Sequence, residues 1–197
     1  MGRFNFMKIA AIAMPLALAA CASPPSRIND VCAVFEHGDG WIGSWRSDAA
    51  RAEQKHGIPV PILMATLRKE SGFKSNARPP RKKLLGFIPW KRASSAYGYS
   101  QALDGTWDQY RRETGQRGAR RANFADAVDF VGWYHAKTAD RYGVARTDTY
   151  NLYLAYYAGW TGFKRGDWRN DASLQRYARE TDDMARKYET QLRQCRG

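Results

Sequence analysis

Residues 67–73 read Leu-Arg-Lys-Glu-Ser-Gly-Phe. Glu70 closes a run carrying Ile62, Leu63, Met64 and Leu67, and the small pair Ser71 and Gly72 follows at once. A carboxyl in that setting can move a proton. Apolar neighbours strip its water and disfavour the charged form, raising the pKa toward neutrality, where a general acid works best. Arg68 and Lys69 oppose this, because a cation touching the carboxylate would lower its pKa. Adjacent helical residues do not face each other, so proton transfer requires both cations to point away from Glu70. Read alone, the segment fits a surface carboxylate paired with a cation one turn away better than it fits an acid.

Two further segments bear on the choice. Gly98-Tyr99-Ser100-Gln101 is a glycine turn followed by an amide, with Leu103 and Thr106 just beyond. Ala155-Tyr156-Tyr157-Ala158-Gly159 puts two tyrosines between small residues. Cleaving a glycosidic bond needs an acid to protonate the leaving oxygen, and most such enzymes add a second carboxylate. Asp104 and Asp108 are the acids nearest these motifs, and they read as a helix cap and a helix surface. His37, His56 and His135 are scattered without metal-ligand spacing, and His135 reads as a satisfied core residue. No nucleophile triad or phosphate loop is evident, and no cofactor or metal is expected.

In this order and spacing, the three segments resemble the Glu-Ser, Gly-x-x-Gln and Ala-Tyr-Asn-Ala-Gly motifs of the lytic transglycosylases related to goose-type lysozyme. These enzymes cleave peptidoglycan. The resemblance spans roughly residues 58–163 and implies a mainly α, lysozyme-like fold. It implies Glu70 as a single acid and base that breaks the β-1,4 bond between MurNAc and GlcNAc. The substrate's own N-acetyl group assists, and its 6-hydroxyl closes a 1,6-anhydro ring without water. It further implies substrate contacts from Ser71, Gly98, Gln101, Tyr156 and Tyr157, and from Ser95 or its neighbour Ser94. Gln101 would bond glycan or backbone, and Tyr156 would bring its hydroxyl near Glu70. Trp160 and Phe163 are either sugar-stacking or core aromatics. Tyr157 stands where the family has Asn, Ser100 where a hydrophobic residue is common, and Asp104 where Pro is frequent. A lysozyme-type hydrolase and an inactive peptidoglycan-binding module remain the alternatives.

The elements that must position these residues are legible as helices. Val31, Cys32 and Phe35 recur with Ile28 at helical spacing. Ser47 to His56 reads as a short helix closed by Gly57, and Pro59 and Pro61 start the next, which Gly72 caps. Asp104 reads as the N-cap of a helix holding Trp107 and Tyr110. Asn123 opens a long helix through Tyr142, Thr147 or Asp148 opens another, and Leu174 to Leu192 marks the last. Phe73 to Tyr97 is the exception. Pro79, Pro80, Gly86 and Pro89 break helix there, leaving a small hairpin or a long loop. Lys82, Lys83, Lys91 and Arg92 make that segment a candidate grip on anionic lipid or wall polymer.

The 197-residue chain carries a net charge of +13, which favours an anionic partner. Residues 1–20 read as an export signal: Arg3 and Lys8 precede an apolar stretch interrupted by Pro15, far short of the ~20 residues a spanning helix needs. Leu18-Ala19-Ala20-Cys21 looks like a bacterial lipobox, with lipid on Cys21 and a tether over 21–27. The folded domain is then 28–197. A non-acidic Ala22 favours the outer membrane, facing the periplasm, where nucleic acid is not an available partner. With Cys21 lipidated, Cys32 and Cys195 remain to pair and tie the ends of the mature chain together.

Overall fold

The computed structural model describes residues 23–39, 43–84, 88–92 and 94–195, with the side chains of 81–92 left aside. Residues 1–20 and Cys21 lie outside the described residues, so the leader and lipidation readings are not addressed by it.

Among the described residues seven α-helices carry the fold: α1 (Val31–Gly38), α2 (Trp45–His56), α3 (Val60–Ser71), α4 (Asp104–Thr114), α5 (Phe124–Tyr142), α6 (Thr149–Arg165) and α7 (Ala172–Gln194). A 3₁₀ turn, Asp167–Asn170, joins the last two. Strands β1 (Arg81–Leu84) and β2 (Ile88–Arg92) form an antiparallel hairpin with Arg81 opposite Arg92 and Leu84 opposite Ile88. The irregular segment is therefore a hairpin. Lys82, Lys83, Lys91 and Arg92 lie on its strands, and the role of their side chains stays a proposal.

Local chemistry sets most boundaries. The side chains of Ser44, Asn123, Asp148 and Asp171 each accept from a backbone N–H in the first turn of α2, α5, α6 and α7. Such caps satisfy donors that a helix start leaves unpaired. Pro59 precedes α3 and Pro61 sits in its first turn, where a missing N–H costs nothing. Asp104 departs from expectation. It is the first helical residue of α4, ion-paired to Arg121 at 2.7 Å, and the hydroxyl of Ser95 accepts from its N–H at 3.1 Å. A residue nine positions upstream thus does the capping that a sequence window assigns to Asp104.

Helix α3 is the centre of the core. Ile62 to Leu67 are all buried, so it is apolar nearly all round and must be enclosed. It packs against α2, α5 and α7. The buried face of α7, Leu174, Ala178, Thr181, Ala185 and Tyr188, follows the helical repeat and covers both α3 and α6. The same helix holds the start of the domain. Gln191 accepts from the N–H of Val31 at 2.9 Å, Tyr188 donates to the carbonyl of Ile28, and Cys195 is disulfide-bonded to Cys32 with Cα atoms 5.8 Å apart.

On the opposite side, Asp129 of α5 accepts from Lys55 and His56 of α2, from Tyr110 of α4 at 2.5 Å and from Gln116 at 3.0 Å. Burial alone would raise its pKa. The hydrogen bonds from His56, Tyr110 and Lys55 outweigh burial and hold it at about 2. His135 is buried, and burial pushes its pKa down to about 3, so the ring is neutral. It is half-satisfied rather than satisfied: Thr66 donates to the carbonyl of Ile62, the Nε2–H of His135 donates to Thr66, and Nδ1 has no partner among the described residues.

The disulfide spans a sequence separation of 163 residues. Chain entropy for a loop of that length gives about 5 kcal/mol. Cys32→Ser is expected to lower the thermal midpoint by about 10–20 °C relative to the oxidised protein. Calorimetry of the two forms, with and without reductant, measures this; equal midpoints would contradict it.

Candidate active site

Three segments converge on Glu70. The first is the C-terminal turn of α3. Gly72 ends the helix with φ 58°, and Phe73 continues in the same left-handed region with φ 62°. A non-glycine residue there is strained and persists only when packing over-determines it. Phe73 is 1% exposed and its ring packs 6.0 Å from Trp45, which stacks on Phe124 at 4.1 Å. The aromatic cluster thus holds the corner that aims Glu70.

Glu70 keeps partial contact with solvent yet is densely surrounded by protein. Burial raises its pKa to about 7, against smaller lowering effects of the Tyr153 hydrogen bond and the charge of Lys69. Its place in the last turn of α3, at the negative end of the helix dipole, works in the same direction as burial. The two adjacent cations point elsewhere. Arg68 bonds the side-chain oxygen of Asn29 through Nε at 2.7 Å. Lys69 bonds Glu180 of α7 at 2.5 Å and lies 4.1 Å over the ring of Tyr177. The geometric condition for an acid is met.

The second segment is the turn Gly98–Gln101. Gly98 has φ 77°, and a Cβ there would lie 2.1 Å from the carbonyl oxygen of Arg121, so no other residue fits. Gln101, at φ 50°, donates from its amide to the carbonyls of Ala77 at 3.0 Å and Gly98 at 2.8 Å. Of the two roles open to Gln101, the amide N–H groups take the backbone one. They tie the turn to the segment leaving α3. Ser71 is buried and donates to the carbonyl of Leu67, and Ser95 accepts from the first N–H of α4, so each hydroxyl has one hydrogen bond within the scaffold.

The third segment is α6, and its Tyr156 lies close enough to the Glu70 carboxylate for that charge to act on it. The Tyr156 hydroxyl donates to the carbonyl of Ser100 at 2.6 Å, fastening α6 to the Gly98–Gln101 turn. The hydroxyl that donates to Glu70 belongs to Tyr153, 2.9 Å from Oε1. Tyr153 is 2% exposed, and burial with the nearby Glu70 charge raises its pKa, so it stays protonated and donates. Tyr150, Tyr153, Tyr156 and Tyr157 are spread over adjoining faces of one helix, and the motif includes Tyr156 but not Tyr153, the tyrosine that donates to Glu70. The signal available was the four-residue step from Tyr153 to Tyr157, which puts both on one face. Tyr157 is 56% exposed and close enough to feel the Glu70 charge. Gly159, with φ 71° and ψ 159°, breaks α6 just after the tyrosines, in a region essentially reserved for glycine. Trp160 and Phe163 are core aromatics: Trp160 stacks on Tyr134 at 4.4 Å and donates to Thr138 at 2.9 Å, while Phe163 packs near Trp168.

Residues 9–195 match the family model described as a transglycosylase SLT domain. The chain belongs to this family. Comparison with curated proteins gives no match for the SLT domain. Among solved structures it is similar to an inactive glutamate-to-glutamine mutant of the lytic transglycosylase Slt from Pseudomonas aeruginosa, with a TM-score of 0.55 and 17% identity. The match covers 83% of this chain and 26% of that one, so the SLT domain spans about a quarter of that enzyme's length. At that identity the likeness establishes a shared lysozyme-like fold.

The stability of the SLT domain reports the Glu70 titration. The carboxyl's ordinary pKa is 4.5 and its folded value is about 7. A raised pKa gives stability that is complete below 4.5 and is lost as pH rises through 7. Glu70→Gln cannot ionise, so its stability relative to wild type is expected to rise by about 1–3 kcal/mol between pH 4.5 and pH 8. Urea denaturation at the two pH values measures it; a pH-independent offset would contradict it.

Proposed function

We propose that this SLT domain is a peptidoglycan lytic transglycosylase, cleaving the β-1,4 bond between MurNAc and GlcNAc with Glu70 as the single acid and base. The observation that carries the reading is one carboxyl with its pKa raised to about 7 by burial, held by Tyr153 beside an exposed tyrosine. At neutral pH a large fraction of it is protonated and can protonate the glycosidic oxygen. As the bond to the leaving sugar breaks, the N-acetyl oxygen of the muramyl sugar bonds to the anomeric carbon. The Glu70 carboxylate then takes the proton of the 6-hydroxyl, whose oxygen displaces the N-acetyl group and closes the 1,6-anhydro ring. Tyr153 is a positioning residue: donating to Oε1 leaves the other carboxyl oxygen to carry the proton.

The lyase course rests on Glu70 as the single acid and base, acted on by the Tyr153 hydroxyl that donates to it and by the charge of Lys69. A two-carboxylate mechanism needs a partner acid within about 5–10 Å. A folded domain fastened at Cys32, lipidated at Cys21 and held at the periplasmic face of the outer membrane would meet this substrate where it lies.

Two measurements test the proposal. Mass spectrometry of soluble products from purified sacculi is expected to find anhydro-muropeptides with wild type and essentially none with Glu70→Gln. Reducing-end sugars would make the protein a hydrolase, and equal release by both forms would make it a binding module. Tyr153→Phe removes the bond that lowers the Glu70 pKa. The alkaline limb of the pH–rate profile is expected to move up, with turnover reduced about tenfold or more by looser positioning. An unmoved limb would remove Tyr153 from this role.

A further inference from the structure

Tyr157 is a large apolar side chain left 56% exposed, and it does not stand alone. Its ring lies 6.2 Å from Tyr177 of α7. The ammonium of Lys69 sits 4.1 Å over the Tyr177 ring and the guanidinium of Arg176 lies 5.3 Å from it. Glu180 is the acid between them, 2.5 Å from Lys69 and 3.7 Å from Arg176. One carboxylate therefore serves two cations, and the charge of Asp171 also reaches Tyr157, which leaves the exposed guanidinium of Arg176 as the cation the ledge offers to a ligand. Lys69 is mostly enclosed, whereas the Arg176 side chain is 59% exposed. The ledge is continuous with the site: Lys69 precedes Glu70 on α3, and Tyr157 follows Tyr153 by one turn of α6.

An exposed aromatic next to a guanidinium suits a sugar ring that bears a carboxylate. The ring face gives apolar and C–H contact area at small entropic cost, and the planar guanidinium takes a carboxylate bidentately. Resting on the reading of the site as a peptidoglycan-cleaving one, we propose that the ledge of Tyr157, Tyr177 and Arg176 is a subsite for peptide-substituted muramyl sugar. Tyr157 packs on the saccharide and Arg176 pairs with a carboxylate of the attached stem peptide. Lys69, neutralised by Glu180 and locked under Tyr177, holds the ledge in shape. The domain then favours glycan that still carries its peptides over glycan stripped of them.

The test is binding by the full chain carrying Glu70→Gln, which holds the glycan without cleaving it. The two probes are peptide-bearing glycan strands and the same strands freed of peptide by an amidase. Adding Arg176→Glu is expected to weaken binding to peptide-bearing strands roughly fivefold and to leave binding to stripped strands unchanged. Tyr157→Ala is expected to weaken both. Arg193→Glu makes the same charge change at the far end of α7 and is expected to alter neither. The inference is overturned if Arg176→Glu weakens both probes equally, weakens neither, or is matched by Arg193→Glu. Far-ultraviolet circular dichroism of each variant checks that the helices are retained. These outcomes are separate from the catalytic reading, which stands or falls on products released by the wild-type chain.

Discussion

The structure turns on one awkward group, a carboxyl placed at the end of the most enclosed helix. Putting Glu70 there is costly in its ionised form, because water is displaced and the helix dipole points its negative end at it. That cost is what makes the group useful. It moves the pKa to about 7, where proton donation and removal are both accessible in neutral solution. The surroundings of Glu70 supply one donor, Tyr153, and keep both neighbouring cations engaged with other partners. A cation released onto the carboxylate would undo the shift.

Holding that arrangement falls to elements remote in sequence. Helix α6 provides Tyr153 for Glu70 and Tyr156 for the Ser100 carbonyl, so a single helix fixes the acid and the turn facing it. Helix α7 takes up Lys69, covers α3 and α6, and is itself clamped to the start of the domain by Gln191, Tyr188 and the disulfide. Both positive-φ non-glycine residues described, Phe73 and Gln101, lie inside the two motifs. Their strain is held by aromatic packing on one side and by two amide hydrogen bonds on the other. Ser100 adds a cost of its own, since its buried hydroxyl has no partner among the described residues. The small side chain leaves the backbone carbonyl accessible to Tyr156.

Helices and their ends were legible because their causes are local. Asparagine and aspartate before apolar repeats, proline in a first turn and glycine after a last turn act within a few residues, and Asn123, Asp148, Pro61, Gly57 and Gly72 all behave so. Asp104 misled because its helix is capped by Ser95 through a chain reversal that no short window sees. The same limitation applies to Ser95 and Tyr156, whose hydrogen-bond partners lie outside any short window. Their residue types suit sugar contact, but nearby carbonyls and N–H groups compete for them, and the winner depends on distances set by packing.

By itself, the sequence determined that the chain is helical, where the helices start and stop, which carboxyl follows the apolar stripe, and which glycine turn accompanies it. Composition and order suffice for these, because propensity, capping and periodicity are properties of contiguous residues. Only the tertiary structure decided that Tyr153 donates to the acid while Tyr156 donates to the Ser100 carbonyl, that Gln101 bonds backbone, and that Arg68 and Lys69 turn to Asn29 and Glu180. Each of those choices is between side chains of similar chemistry on adjoining helix faces. It is made by separations of a few ångströms between segments up to 111 residues apart, as for Lys69 and Glu180.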